Sequence, residues 1–117
     1  MKIYRVEHPL TGDGPYRCWE YEIPGLSAAH TGSESHPLPG RDLQYNEYCG
    51  FASMTDLLTW FKGWEGQLIA AGFHIAEYET LLGFWRRATD DPNQILFIKD
   101  YAELSRTHKI FSSFAVA

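Results

Sequence analysis

The chain has 117 residues, 44% of them hydrophobic and 15% aromatic, which is enough for one compact domain over residues 1–117 and too apolar for general disorder. Fifteen Asp and Glu against ten Lys and Arg give a net charge of −5. That balance excludes the basic footprint of a nucleic-acid binder and a polybasic membrane patch. No run reaches the roughly 18 apolar residues of a membrane span, and Met1 to Arg5 interleave charges instead of forming a signal core, so the chain is expected in the cytoplasm. Cys18 and Cys49 are too few for a disulfide framework and are expected as thiols there.

Residues 2–8 alternate, with Tyr4 and Val6 on one side and Ile3, Arg5 and Glu7 on the other, which predicts a half-buried strand. The run Thr11, Gly12, Asp13, Gly14, Pro15 makes a turn, because glycine supplies positive φ and proline fixes the chain direction. A second alternating piece places Trp19, Tyr21 and Ile23 on one face and Glu20 and Glu22 on the other, until Pro24 and Gly25 end it. Residues 26–47 carry His30, His36, Pro37, Pro39 and Gly40 with no apolar period and read as a long loop, a length usually reserved for function or mobility.

Ser53 opens the clearest element. Asp56 follows three residues on, and Met54, Leu57, Leu58, Phe61, Trp64 and Leu68 form one apolar stripe, predicting a single main helix over about 53–71 that Gly72 stops. Gly63 and Gly66 lie inside it and weaken it. Phe73 to Thr80 reads as a strand, Arg86 to Asn93 as a charged turn region, and Ile95 to Ile98 as a central strand. Asp100 and Glu103 predict a short helix to about Arg106, and Ile110, Phe111, Phe114 and Val116 a last strand. One main helix among four to six short strands is an α+β fold, a small mixed or antiparallel sheet packed on the helix.

Sites of chemistry are sparse. Five histidines (His8, His30, His36, His74, His108) show no i, i+4 spacing, and no cysteine pair stands two apart, so no metal and no cofactor is expected and the histidines read as solvated. Ser53 is explained as an N-cap, and Cys49 as a small buried hydrophobe. Gly12 and Gly14 resemble half a phosphate loop, yet Pro15 and the absence of a following helix remove the N–H cradle. The acidity is more informative: residues 1–60 carry 4 basic and 8 acidic groups, and residues 61–117 carry 6 and 7, so four of the five net negative charges fall in the first half. Trp19, Glu20, Tyr21, Glu22, Asp42, Tyr45, Glu47 and Tyr48 thereby form a candidate partner-binding surface, acidic for steering and aromatic for anchoring.

Tyr4 to Arg17 (YRVEHPLTGDGPYR), Tyr48 to Phe61 (YCGFASMTDLLTWF), Ala71 to Glu79 (AGFHIAEYE) and Gln94 to Phe97 (QILF) resemble small proteins of bacteriophages and prophages. That resemblance covers under half the chain and implies a phage setting, hence the host cytoplasm, and no particular chemistry. A more distant likeness is to the ADP-ribosyltransferase fold, on Tyr4 and Arg5, on Gly50 to Ser53 before the helix, and on Gln94 opening a strand. It implies a nucleotide pocket at Arg5, Ser53 and Gln94, in which Gln94 replaces the catalytic carboxylate and supplies no charge.

Three readings follow. The first is a phage-type inhibitor or modulator of a host protein with a basic surface, an anti-defence protein such as an anti-CRISPR, acting by protein–protein contact without catalysis. The second is a transferase-like enzyme or nucleotide binder with a degenerate site. The third is a virion or structural accessory protein.

Overall fold

The computed structural model describes residues 1–15, 21, 23–26, 47–81, 83–88 and 94–110. In chain order these form β1 (Lys2–Glu7), β2 (Glu47–Phe51), α1 (Met54–Trp60), α2 (Glu65–Ala70), β3 (His74–Thr80), β4 (Trp85–Arg87), β5 (Gln94–Ile98), a 3-10 turn (Lys99–Tyr101) and β6 (Ala102–His108). The six strands make one sheet in the order β4-β5-β2-β1-β3-β6, antiparallel at every pairing. The fold is therefore α+β, as the strand and helix patterns predict.

The connections force this sheet to roll. β3 and β4 lie four positions apart, as do β5 and β6. Four spacings of a flat sheet span about 19 Å, whereas the four Cα steps from Ile98 to Ala102 reach at most about 14 Å and the five from Thr80 to Trp85 about 18 Å. Side chains on one face consequently meet across the curl: the Tyr78 ring on β3 and the Phe97 ring on β5 lie 5.5 Å apart with two strands between them. At one corner Phe84 and Tyr101, which precede the two edge strands, stack at 4.7 Å. Gly50 permits the curl on β2, since a Cβ there would run into Ile3 Cγ2 and come within 3.1 Å of the Tyr4 carbonyl oxygen.

Two apolar clusters result, one on each face. Val6, Phe51 and Ile75 turn outward beneath Leu57, Phe61 and Leu68 of the helical segment, with Phe73 and Ile110 completing that layer. Ile3, Ala76, Tyr78, Ile95 and Phe97 fill the concave face. β1 divides its side chains between the faces as its alternation predicts, but it is not half-buried. Arg5 and Glu7 are buried too, because the roll encloses the face that a flat sheet would give to water.

The predicted helix over 53–71 is two helices. Ser53 caps the first, its hydroxyl accepting from the Asp56 N–H at 3.1 Å. The chain leaves helical geometry at Gly63, whose φ of +91° is costly for any residue with a Cβ. Glu65 then restarts it by accepting from the Gly63 and Trp64 N–H groups, and Gly72, at φ +92°, ends it as expected. Three further readings are corrected. Arg86 and Arg87 belong to β4, not a turn. Residues 102–108 are strand, not helix, because the exposed side of β3 takes a ladder partner and the 3-10 turn before it has no side-chain cap. Glu47, predicted as the last residue of the long loop, instead opens β2. Of the predicted strands at 19–23 and 110–116 only Tyr21, Ile23 and Ile110 lie within the described residues, and none of the three is in a strand; the loop at 26–47 lies outside them apart from its ends, and Ile23, Leu26 and Ile110 are core residues.

Gly63 and Gly66 should respond oppositely to alanine. Gly63→Ala is expected to destabilise by about 1 kcal/mol through its positive φ, and Gly66→Ala, inside α2 with open space around its Cα, to stabilise by up to about 1 kcal/mol. Urea unfolding of the two variants measures both.

Candidate functional site

β1 is the origin of the site. Its period-two alternation puts Arg5 and Glu7 beside Ile3 on the concave face, where the curl brings β3 and the end of β5 over them. The Glu7 carboxylate collects three donors: Arg5 Nε at 3.1 Å, Lys99 Nζ at 3.1 Å and the Tyr78 hydroxyl at 2.5 Å. Arg5 also donates through Nη1 to the Cys49 carbonyl at 2.9 Å. Arg5 and Lys99 both lie over the Tyr48 ring, at 5.1 and 5.2 Å from its centroid, and Lys99 reaches the Tyr78 ring as well. A carboxylate whose side chain is only 7% exposed is paired with two cations, and each cation meets further acceptors or an aromatic face.

The Thr11–Pro15 turn closes over this cluster. The Gly12 N–H donates to the His8 carbonyl at 2.7 Å, and the His8 N–H to the Asp13 carbonyl at 2.9 Å. This return points the Gly12 carbonyl at Arg5 and Lys99, 3.4 and 3.3 Å away. Cβ atoms at Gly12 and Gly14 would stand 3.1 Å from Lys99 Nζ and 3.3 Å from Arg5 Nη2, so small residues let the turn approach the cations. Gly12 thus presents a carbonyl to cations, the reverse polarity of a phosphate cradle.

His8 follows on the helical face and is buried, not solvated. Its Nδ1 accepts from the Leu10 N–H at 3.2 Å, which leaves Nε2–H to donate to the Ala71 carbonyl at 3.1 Å. Its ring stacks on Tyr21 at 3.7 Å and meets Phe73 edge-on. His108 is also engaged, with its Nε2 at 3.0 Å from the buried Glu77 carboxylate. His30 and His36 lie outside the described residues.

The sequence-derived candidates separate. Glu47 and Tyr48, neighbours in sequence, project from opposite faces of β2. Glu47 is clamped across β5 by Arg86, whose Nε and Nη2 donate at 3.0 and 2.8 Å, while Tyr48 stands at the mouth of the concave face, 38% exposed. Tyr21 packs against the helical core and His8. Trp19, Glu20, Glu22, Asp42 and Tyr45 lie outside the described residues. The transferase-like trio is also divided: Gln94 pairs with Phe51 on the helical face, Arg5 points into the concave face, and Ser53 is engaged as a helix cap. Glu7, Tyr78 and Lys99 are absent from the sequence-derived candidates. The signal for Glu7 lies in its sharing a strand face with Ile3, but nothing local reports that this face is enclosed.

Burial and the hydrogen bond to Glu7 push the Tyr78 hydroxyl well above the ordinary tyrosine range. Burial holds the His74 imidazole below its ordinary value against the attraction of Glu7, with His8 adding to the lowering. A raised tyrosine value means stability present below the unfolded value of about 10 and lost as pH rises past it. A lowered histidine value means stability lost as pH falls through about 6.5. Spectrophotometric titration should therefore show one tyrosine that ionises only with alkaline unfolding, and Tyr78→Phe should abolish that component. In His74→Gln the loss of stability between pH 7 and 5 should shrink. Glu7→Gln, which strands two cations, is expected to cost about 3 kcal/mol by urea unfolding.

No helix among the described residues is long and apolar enough to cross a membrane. No curated protein and no solved structure matches the chain significantly. A family model, Bacteriophage T4 Y00F protein, matches residues 1–111. With nearly the whole chain matched, the protein belongs to the Bacteriophage T4 Y00F family.

Proposed function

We propose that this phage protein acts by contact on a host protein that presents a basic surface, in an anti-defence role such as an anti-CRISPR, with no chemistry of its own. The contact surface comprises Tyr48 with Trp19, Glu20, Glu22, Asp42 and Tyr45, whereas Tyr21 packs against the helical core and Glu47, held by Arg86, projects from the other face of β2. The observation that supports this reading most is the setting of Tyr48. Its ring is exposed, yet two cations beneath it hold it in place, so little side-chain freedom is lost when a partner covers it. Those cations are already matched to Glu7 and to backbone carbonyls, which favours a positioning role over binding of a small anionic substrate. Net acidity in the same half of the chain supplies the steering toward a basic surface.

Plaque formation on a defence-proficient host that expresses the protein tests the reading. Wild type is expected to restore plating of a restricted phage. A variant with Glu20, Glu22 and Asp42 changed to Lys should lose that effect, and Tyr48→Ala should weaken it, with thermal midpoints nearly unchanged. Protection that survives all three reversals, or a captured partner that stays bound through the reversals and about 0.5 M salt, overturns the acidic surface.

A further inference from the structure

Among the described residues β6 forms an outer edge of the sheet, and five of its seven residues are exposed. Among the described residues β4 and β6 do not pair, although the residues preceding them, Phe84 and Tyr101, stack on one another. The charges along this edge are divided. Asp100, in the 3-10 turn, and Glu103 lie toward its start, and Arg106 and Lys109, the residue after His108, toward its end. Glu103 stands directly opposite Glu79 in the β3 ladder, an unfavourable like-charge pair. Arg106, by contrast, shares the single Glu77 carboxylate with Lys2, each 3.8 Å from it; the Arg106 side chain is 67% exposed, and His108 Nε2 at 3.0 Å holds the nearer position. The first half thus has negative charge in excess and the second half positive.

The ladder also sets which face each residue takes. Tyr78 pairs with Leu104 and Glu77 with Arg106, so Ser105 is the extra residue of a β-bulge. Residues three apart on a regular strand point to opposite faces. The bulge instead brings Glu103 and Arg106 to the same face, opposite Glu79 and Glu77.

We propose that β6 pairs antiparallel with β6 of a second copy of this chain, about a two-fold axis between Leu104 and Ser105. Each Glu103 then lies opposite the other copy's Arg106, and each Ala102 opposite the other copy's Thr107. Both pairs match in face, and Asp100 of each copy lies toward Lys109 of the other. Leu104, 55% exposed in the single chain, is covered beside the axis. A bulge ordinarily protects an edge because it breaks the parity that an incoming strand needs. A second copy carries the same bulge at the same place, so the edge that rejects a regular strand accepts its own. The contact is isologous and closes at two copies.

Sedimentation equilibrium of the full chain at low salt, up to about 1 mM, tests this. Wild type is expected to reach twice the monomer mass. Glu103→Arg and Arg106→Glu should each raise the dissociation constant about tenfold or more, because each sets like charges opposite one another across the axis. Glu103→Arg relieves the Glu103–Glu79 repulsion, so its melting midpoint as a dilute monomer should not fall. Mixing the two single variants should restore a dimer, and the double swap in one chain should dimerise alone. A wild type that stays monomeric overturns the proposal, as does a dimer whose mass is indifferent to the reversals or a mixture of the two variants that fails to associate.

Discussion

Two short crossings govern this structure. β3 and β4, and likewise β5 and β6, are joined by a few residues although four strand positions separate them in the sheet. No flat sheet satisfies both connections, so the sheet rolls, and the roll creates an interior on its concave face. The helical pair on the convex face then completes an ordinary layer of sheet and helix. The concave face is enclosed by the sheet's own far strands. Tyr78 meeting Phe97 across two intervening strands is the direct expression of that closure.

The polar cluster depends on the same closure. On a flat, half-exposed strand, Arg5 and Glu7 would be a surface pair of little energetic weight. Enclosed, they demand compensation, and the fold supplies it from three distant segments: the Tyr78 hydroxyl from β3, the Lys99 ammonium from the turn after β5, and the Gly12 carbonyl from the turn after β1. A network drawn from such separated parts of the chain ties their positions together. Losing one member leaves an uncompensated charge in place of a merely missing contact. Tyr48, above two of these cations, is the point at which the interior network reaches the surface.

Edge management shows the same economy of means. β4 is only three residues long, and β6 carries charge and a bulge, both features that discourage unselective pairing. The division of charge along β6 makes that edge selective for a strand with the inverse pattern, which an antiparallel copy of itself presents. Such selectivity matters for any exposed strand, which must avoid chance partners.

Much that depends on neighbours in sequence was legible from the residues alone. Ser53 capping the first helix, the outward and inward sets of β1, the apolar strand at Ile95 to Ile98, the stop at Gly72 and the α+β class all follow from periodicity, capping and glycine geometry. The break at Gly63 needed the packing of two helices to show that a positive φ prevailed over an unbroken apolar stripe. The strand at Ala102–His108 reads locally as helix, because Asp100 and Glu103 sit where a cap would place them. It is a strand because β3 has an edge to pair and Glu77 has a carboxylate to neutralise. What the sequence determined by itself was the alternation of each segment, and with it which side chains travel together. Whether a given face meets water or the interior was decided only by tertiary structure, since burial depends on how strands distant in sequence close around one another.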